Sequence, residues 1–295
     1  MMTPDAFARL VRLPAALTAP GDTLAGAAAS GRAPGADTVL LPLCSTLIYW
    51  AGMALNDYAD RALDAVERPE RPIPAGDVTP AEALTVAIVL TTAGVGLAAL
   101  AGGRRTLAVA VPLAASVWAY DLAFKSTRLG PVAMASTRLL DVLLGAASAR
   151  PGSLRLALPA ALTVFTHTLG TTTLSRDEVH GSTSGVVGTL ALAGTLGAAV
   201  VAAAGPARHP TNGCLPRLVG AALAAVYLGA VAPAQLRARN SRAAADVRRA
   251  VGASVIGTIG LQAALIARSG FVGIGLTVAA LLPLGRRLTR RVSAT

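Results

Sequence analysis

Residues 38–76 read TVLLPLCSTLIYWAGMALNDYADRALDAVERPERPIPAG. The first part, 38–56, is an apolar run long enough to cross about 30 Å of hydrocarbon, since a helix rises about 1.5 Å per residue. Directly after it, seven of the 15 acidic residues of the chain fall within 26 residues. An apolar segment that ends in a dense group of carboxylates predicts a membrane helix with a charged site at its end.

The composition of the whole chain is typical of a membrane protein. Of its 295 residues, 54% are hydrophobic and 14% are charged, against roughly 25% charged in ordinary globular domains, and the mean hydropathy is +0.60. So few charges cannot cover a water-exposed surface, and so many apolar residues exclude intrinsic disorder. The two cysteines, Cys44 and Cys214, have no metal-ligand spacing, so neither a disulfide framework nor a zinc site is implied.

Further apolar runs of membrane-spanning length occupy most of the chain. They lie at about 10–29, 38–56, 81–101, 106–122, 129–149, 156–174, 185–204, 215–235 and 248–267, with a shorter tenth run at 270–285. No linker or shift in composition separates them. We therefore expect an all-α polytopic membrane protein in which residues 1–295 form a single membrane domain.

The net charge of +11 has a different meaning here than in a soluble protein. In an apolar chain it indicates anionic membrane lipids or an anionic substrate, and no nucleic acid partner. If the N-terminus is cytoplasmic and ten segments cross, 17 of the 26 basic residues lie inside and 8 outside, whereas nine crossings give 13 against 12. The positive-inside rule thus favours ten crossings, or nine plus a re-entrant hairpin, in the cell membrane.

The carboxylates after the second run share one face of a helix. At 100° per residue, four oxygen-bearing side chains fall within about 100° of one another, namely Asn56, Asp57, Asp60 and Asp64. Unpaired carboxylates this close repel one another, so a divalent cation is the expected partner, and oxygen-only ligands favour Mg²⁺ over zinc. Because magnesium in such sites completes its shell with water and phosphate oxygens, the pattern predicts a phosphorylated substrate.

An alternative is a solvated acidic loop whose charges pair with Arg61, Arg68 and Arg71. The one-faced spacing and the position at the end of a membrane helix favour the metal site instead. The prolines of RPERPIP, 68–74, predict that the helix ends before them. Arg68 and Arg71 then lie on a bent loop that can fold back over the carboxylates, where guanidinium groups suit diphosphate oxygens.

This stretch resembles the first aspartate-rich motif of the UbiA superfamily of intramembrane prenyltransferases. The matching positions are Asn56-Asp57-x-x-Asp60-x-x-x-Asp64 followed by Arg71-Pro72-Ile73-Pro74-x-Gly76, about ten positions within 21 residues. The spacing is most similar to the chlorophyll-synthase branch, with Ala75 in place of a serine. Three further stretches, YDLAFKSTRLGP, TRLLDVLLGA and TLSRDEVHG, resemble the EboC-like subgroup found in bacterial gene clusters.

The resemblance implies a fold and an activity. The fold is a ring of nine transmembrane helices around a central cavity, to which the tenth run would add a short C-terminal helix, with the active site facing the cytoplasm. The activity is Mg²⁺-dependent transfer of an isoprenoid group from an allylic prenyl diphosphate to a lipophilic or aromatic acceptor in the membrane, with release of diphosphate. A UbiA-type terpene cyclase with the same ionising site and a non-catalytic transporter or scaffold are the alternatives.

The resemblance also implies roles for individual residues. Asp57, Asp60 and Asp64 would be the catalytic carboxylates that bind Mg²⁺, and Asn56 would take part in metal and substrate binding. The residues implied to bind the diphosphate are Arg68, Arg71, Tyr120 and Lys125. An alternative for Lys125, the only lysine of the chain, is an interfacial charge that snorkels to the membrane surface.

The second motif departs from the family pattern. The chlorophyll-synthase-like form is DxxxVEGD, whereas Ser175–Ser182 reads SRDEVHGS, with serines at both ends. Two interpretations stay open. Either Asp177 and Glu178 supply a second metal site in a shifted register, or the site works with fewer carboxylates and Arg176 contacts the diphosphate directly.

Two charged residues lie inside a predicted membrane segment. Arg138 and Asp141 are costly at membrane depth and should face a cavity or each other, and their spacing allows pairing on one helix. One interpretation is an internal ion pair that fixes helix packing, and the other is substrate binding, with Asp141 near the acceptor. Asp22 and His167 allow the same two interpretations, and for His167 a hydrogen-bonded core residue is the simpler one.

Overall fold

The computed structural model describes residues 2–13, 15–31, 35, 37–148, 152–205 and 214–289, and all secondary structure in them is helical. The helices are α1 (Pro4–Leu10), α2 (Ala19–Ala29), α3 (Asp37–Glu67), α4 (Pro80–Gly102), α5 (Arg104–Ala119), α6 (Gly130–Ala147), α7 (Ser153–Ser175), α8 (Val186–Ala204), α9 (Leu215–Ser241), α10 (Ala244–Arg268), α11 (Val272–Ala279) and α12 (Leu281–Thr289). A 3₁₀ turn, Ala15–Thr18, precedes α2, and a π-helical turn, Tyr120–Phe124, follows α5.

Six of these helices are long and apolar enough to cross a membrane, namely α3, α4, α5 with its π-helical turn, α8, α9 and α10. The predicted class, an all-α polytopic membrane protein, is therefore confirmed. The predicted number of nine or ten crossings stays a prediction.

Proline and capping residues set the helix boundaries around the first motif. Helix α3 ends at Glu67, two residues before Pro69, as the sequence predicted. Helix α4 begins with a reciprocal cap: the Glu82 amide donates to Thr79 Oγ1 at 3.2 Å, and the Thr79 amide donates to Glu82 Oε2 at 2.9 Å. Pro80 fills the first turn of α4, where no amide proton is needed.

Helices α2 to α10 close into a ring. Each packs against the next in the chain, and α10 returns to pack against α2, which also lies against α6 and α7. The backbones of α2 and α6 touch: a Cβ added at Gly26 would lie 1.7 Å from the Val142 carbonyl oxygen, and one at Gly145 would lie 1.8 Å from that of Thr23. Only glycine fits at such a crossing, as is common between membrane helices.

The first apolar run, 10–29, does not form one membrane helix, and that prediction is wrong. It divides into the end of α1, the 3₁₀ turn and α2, which has 11 residues and spans about 16 Å. Pro20 lies in the first turn of α2, where its missing amide proton leaves no intrahelical hydrogen bond unmade.

The tenth run, 270–285, also differs from the single short helix that was expected. It forms α11 and α12, which meet at Ala280. Pro283 lies in the first turn of α12, where proline costs no intrahelical hydrogen bond. Both short helices pack against α10, which is the most buried of the six long helices.

The loops that follow α3, α5, α7 and α9 meet at one end of the ring, which we call the site end. The Ser182 amide, after α7, donates to the Arg242 carbonyl oxygen, after α9, at 2.9 Å. Arg176, directly after α7, donates a hydrogen bond from Nη2 to the Thr127 carbonyl oxygen, which lies in the loop after the π-helical turn. The two predicted motifs, far apart in sequence, therefore lie at the same end of the protein.

Candidate active site

Asp57 lies at the centre of the site end. Its carboxylate is 2% exposed, and Oδ1 accepts hydrogen bonds from Arg71 Nη1 at 2.9 Å and from Arg12 Nη2 at 3.0 Å. The two guanidinium groups come from different parts of the chain, one from the loop after α3 and the other from the segment after α1. The structure confirms that Arg71 folds back over the carboxylates.

The loop after α3 holds Arg71 in place through its own backbone. The Ala75 amide donates to the Arg71 carbonyl oxygen at 2.9 Å, and the amides of Asp77 and Val78 donate to that of Pro72 at 3.0 and 3.1 Å. Gly76 has φ +80°, a left-handed conformation that glycine adopts at little steric cost. Burial lowers the pKa of the Arg71 guanidinium, and the charge of Arg12 lowers it further, but an arginine stays protonated in proteins.

Asn56 connects α3 to the end of α5. Its Nδ2 donates to Asp121 Oδ1 at 3.2 Å, and its Oδ1 accepts a hydrogen bond from Arg12 Nη2 at 3.0 Å. Asp121 is buried within the π-helical turn. The amide of Asn56 thus lies between a positive and a negative side chain and uses both its donor and its acceptor.

Asp60, one turn further along α3, pairs with Lys125. The Lys125 Nζ atom lies 2.6 Å from Asp60 Oδ1. The π-helical turn places Lys125 there, since its amide donates to the Tyr120 carbonyl oxygen five residues earlier, at 2.9 Å. Tyr120 is half-buried in the same turn.

Asp64 and Arg68 link the first motif to the second. Asp64 is buried, and its Oδ1 lies 3.7 Å from Arg68 Nη1, a longer ion pair than those of Asp57 and Asp60. Arg68 also interacts electrostatically with Glu178, in the loop after α7. Burial raises the pKa of the Glu178 carboxyl group above its ordinary value, and the positive charges of Arg68 and Arg248 offset part of this rise. Arg248 Nη1 donates to the Glu178 carbonyl oxygen at 2.9 Å, which anchors that loop.

The other second-motif residues do not join the carboxylate cluster. Arg176 is exposed and bonds to the backbone at Thr127. The Asp177 side chain has no hydrogen-bond or ion-pair partner in the part of the chain that the structure describes. A second metal site at Asp177 and Glu178 therefore stays a prediction.

Arg138 does not pair with Asp141, and that predicted pairing is wrong. Arg138 Nε lies 2.9 Å from Asp22 Oδ2, because the glycine crossing brings α2 against α6. Asp141 Oδ2 instead accepts a hydrogen bond from Ser45 Oγ at 2.7 Å. Ser45 precedes Asn56 by 11 residues, about 16 Å along α3, so this polar cluster lies well below the first motif.

His167 is a hydrogen-bonded core residue, as the simpler interpretation held. Its Nε2 lies 3.1 Å from the Ser254 carbonyl oxygen, and its Nδ1 lies 2.7 Å from Tyr227 Oη. A carbonyl oxygen only accepts, so Nε2 donates to it and Nδ1 accepts the tyrosine proton. The neutral ring is satisfied without any ligand.

Two residues of the site were not among those predicted. Arg12 has φ +48°, its side chain is 14% exposed, and its Nε is buried without a partner among the described residues. A non-glycine residue in this conformation is held there by its surroundings. Arg12 reaches the site because α1 packs on α3 and α4 through Ala6 and Leu10.

The sequence contained a feature that could have identified Asp121 as a site residue. This residue stands beside Tyr120, four residues before Lys125, at the end of a membrane segment where a carboxylate is costly unless it has a partner or a function. Arg12 carried no comparable local signal, because its contacts with Asn56 and Asp57 arise only from the packing of distant segments.

The oxygen donors of the first motif suit a hard cation. Asp57 Oδ2 and Asp64 Oδ1 are buried and accept no hydrogen bond from described residues, and carboxylate oxygens are the ligands that Mg²⁺ prefers. Arg12 and Arg71 form ion pairs with Asp57, and Lys125 forms one with Asp60, so these cations neutralise part of the negative charge of the carboxylates. Over the described ranges, no three Asp, Glu, His or Cys side chains are grouped closely enough to hold a metal ion by themselves.

The fold and the site together define a helical membrane protein with an acidic and basic cluster at one end. Residues 16–251 match the model of the UbiA prenyltransferase family, well over half of the chain. The protein belongs to this family. The finer assignment to the EboC-like subgroup stays a prediction.

Two archaeal relatives are named digeranylgeranylglyceryl phosphate synthase. The one from Methanopyrus kandleri is 38% identical over 91 residues, which are 31% of this chain and 33% of the relative. The one from Methanoculleus marisnigri is 32% identical over 193 residues, which are 64% of this chain and 68% of the relative. The chain thus spans about a third of the first relative and two thirds of the second.

A solved structure of a UbiA homolog from Aeropyrum pernix K1 has a similar fold. The TM-score is 0.65 at 18% sequence identity, and the match covers 90% of this chain and 98% of that chain. Similarity at this level of identity supports the fold alone. It agrees with the UbiA-like architecture that the first motif implied.

Proposed function

We propose that this protein transfers an isoprenoid group from an allylic prenyl diphosphate to a lipophilic or aromatic acceptor in the membrane, and releases diphosphate. The observation that carries the proposal is the convergence, at one end of a ring of apolar helices, of a row of carboxylates with a row of cations. The carboxylates are Asp57, Asp60 and Asp64, and the cations are Arg12, Arg71 and Lys125. Family membership and the names of the relatives support it.

The cations bind the diphosphate and stabilise the charge that develops on it. When the bond between the allylic carbon and the diphosphate oxygen breaks, the electron pair leaves with the oxygen. Guanidinium and ammonium donors held in a partly buried site stabilise that charge without having to reorganise. Arg71 and Lys125 are 12% and 20% exposed, so each keeps part of its charge accessible to a ligand. Arg68, Arg176 and Tyr120 lie at the same end.

We propose Mg²⁺ as the cofactor, with Asn56, Asp57, Asp60 and Asp64 as its principal ligands. Asp57 Oδ2 and Asp64 Oδ1, which are buried and accept no hydrogen bond from described residues, support this assignment. Glu178, whose Oε1 is also buried without a partner among the described residues, and Asp177 are proposed for a second ion. When bound, the ion supplies positive charge that neutralises the leaving diphosphate.

The helices around the site keep water from the allylic cation until the acceptor attacks it and loses a proton.

We propose that residues 1–295 act as one membrane domain and that the site end faces the cytoplasm. The support is the density of basic residues at this end, which the positive-inside rule places in the cytoplasm. The ion pair between Arg138 and Asp22 favours a packing role for Arg138 over a contact with the substrate. For Asp141, which lies deeper in the ring, we propose a contact with the acceptor.

The test is diphosphate release by the purified protein with geranylgeranyl diphosphate and a membrane lipid extract. We expect release to require Mg²⁺, to stop on chelation, and to fall by about 10²-fold or more in Asp57→Asn and Asp60→Asn. Asp5→Asn is the matched control, because its side chain is 81% exposed and away from the cluster. Unchanged turnover in both motif variants would overturn the mechanism.

The same assay separates the alternatives. A terpene cyclase would form a hydrocarbon or alcohol from the diphosphate alone, and its products would not change with the lipid extract. A non-catalytic protein would show no Mg²⁺-dependent release and would be indifferent to Asp60→Asn. A prenylated lipid that appears only with both substrates supports the transferase.

A further inference from the structure

A groove of about 520 Å³ lies between α8 and α9 at the site end, and the proposed reaction does not use it. Arg239, Asn240 and Arg242 line the part next to the loops. Val186 and Leu190 line the part that continues along α8. The groove is thus polar and basic at one end and apolar at the other.

The charge of the groove is not balanced by the protein. No carboxylate lines it. Both arginines are exposed, and neither guanidinium group makes a hydrogen bond or an ion pair with any residue that the structure describes. Val186 and Leu190 are 61% and 58% exposed, so the apolar part is equally open to a ligand. A ligand that satisfies the groove must carry an anion and an apolar chain.

The position of the groove matches the head-group level of a membrane. Helix α9 has 27 residues and is about 40 Å long, while the hydrocarbon core is about 30 Å thick. The last turn of α9, which carries Arg239 and Asn240, therefore extends into the head-group region. Val186 and Leu190 lie in the first turns of α8, so the apolar part of the groove runs from the head-group region towards the hydrocarbon.

The groove is also joined to the second-motif loop. Arg242 has φ +57°, and its carbonyl oxygen accepts the hydrogen bond from the Ser182 amide at 2.9 Å. A Cβ at Gly181, which has φ +77°, would lie 2.6 Å from the same oxygen. The loop that carries Asp177 and Glu178 therefore rests directly on the backbone of a residue that lines the groove.

We propose that an anionic phospholipid binds in this groove, with its phosphate at Arg239 and Arg242 and an acyl chain along Val186 and Leu190. Guanidinium groups match phosphate oxygens in charge and geometry. Charge complementarity selects an anionic lipid, because a zwitterionic one would bring an ammonium group next to two arginines with no carboxylate to receive it. The site is separate from the diphosphate site, and the proposal does not depend on the reaction.

The test is native mass spectrometry of the purified full chain with added phosphatidylglycerol or phosphatidylcholine. We expect wild-type protein to retain phosphatidylglycerol in preference, and the double variant Arg239→Gln/Arg242→Gln to bind it roughly 30-fold more weakly, at about fivefold per basic residue. The charge-matched control is Arg155→Gln/Arg217→Gln, since both of these exposed arginines lie at the opposite end. Leu190→Gln, which leaves the charge intact, should also weaken retention.

Four results would overturn the proposal, and the first three concern lipid retention. They are equal losses in the groove and control double variants, equal retention of the two lipids by wild-type protein, and unchanged retention in both Arg239→Gln/Arg242→Gln and Leu190→Gln. Displacement of the lipid by inorganic phosphate alone would also overturn it, because the bound species would then be a free anion and the apolar wall would contribute nothing.

Discussion

The Nζ atom of Lys125 lies 2.6 Å from Oδ1 of Asp60, and this pair joins the end of α5 to α3. Asn56 and Asp121 form a second link one turn away, at 3.2 Å. Asp121 and Lys125 are four residues apart, at and just after the π-helical turn, and both contact α3. The only lysine of the chain is therefore part of the carboxylate cluster and not an isolated interfacial charge.

Lys125→Gln should lower kcat/KM for the prenyl diphosphate by about 10- to 100-fold, because a hydrogen bond to a charged group is worth about 1.5–3 kcal/mol. Lys125→Arg keeps the charge and should lose less. Steady-state kinetics with the two variants provides the measurement. If Lys125→Gln keeps kcat/KM within about twofold, the ammonium group pairs with Asp60 without binding the diphosphate, and the diphosphate role is wrong.

Arg12→Gln should reduce kcat/KM to a similar extent, about 10- to 100-fold, because its guanidinium is fixed on Asn56 and Asp57 and is mostly buried. Arg9→Gln is the matched control. Arg9 lies on the same N-terminal segment but is more exposed, and its pairs with Asp5 and Asp77 are surface pairs worth about 0–1 kcal/mol. Equal losses in the two variants would show that only the docking of α1 matters.

Gly145→Ala should destabilise the protein by about 1–3 kcal/mol or more, because the added Cβ would overlap the Thr23 carbonyl oxygen and push α2 away from α6. Gly197→Ala, in α8, is the same substitution with no atom within 4 Å, and should leave stability unchanged or raised. Thermal unfolding in one detergent compares them. Equal shifts in the two variants would contradict the backbone contact between α2 and α6.

Asp22→Asn or Arg138→Gln alone should cost about 3–5 kcal/mol of stability, because each leaves a buried charge without its partner. The double variant removes both charges and should recover most of the loss. We expect activity to recover with stability, since the pair fixes helix packing. A double variant that is stable but inactive would assign Arg138 to substrate binding after all.

The accuracy of the sequence predictions followed how local each feature was. The extent of α3, its end before Pro69 and the folding back of Arg71 were predicted, because apolar periodicity and proline act within a few residues. The division of 10–29 at α2 was not predicted, because the run is apolar throughout and a proline inside an apolar run does not by itself end a helix, as Pro42 inside α3 shows.

The sequence by itself determined that the chain is a helical membrane protein and that Asn56, Asp57, Asp60 and Asp64 share one helix face, since composition and the helical repeat are properties of the chain alone. Only the tertiary structure decided which charges meet. Arg12 reaches Asp57 across 45 positions, Asp121 reaches Asn56 across 65, and Arg138 pairs with Asp22 and not with its neighbour on α6. These partners depend on how helices close into a ring and on glycine crossings that let them touch, and no local spacing encodes that.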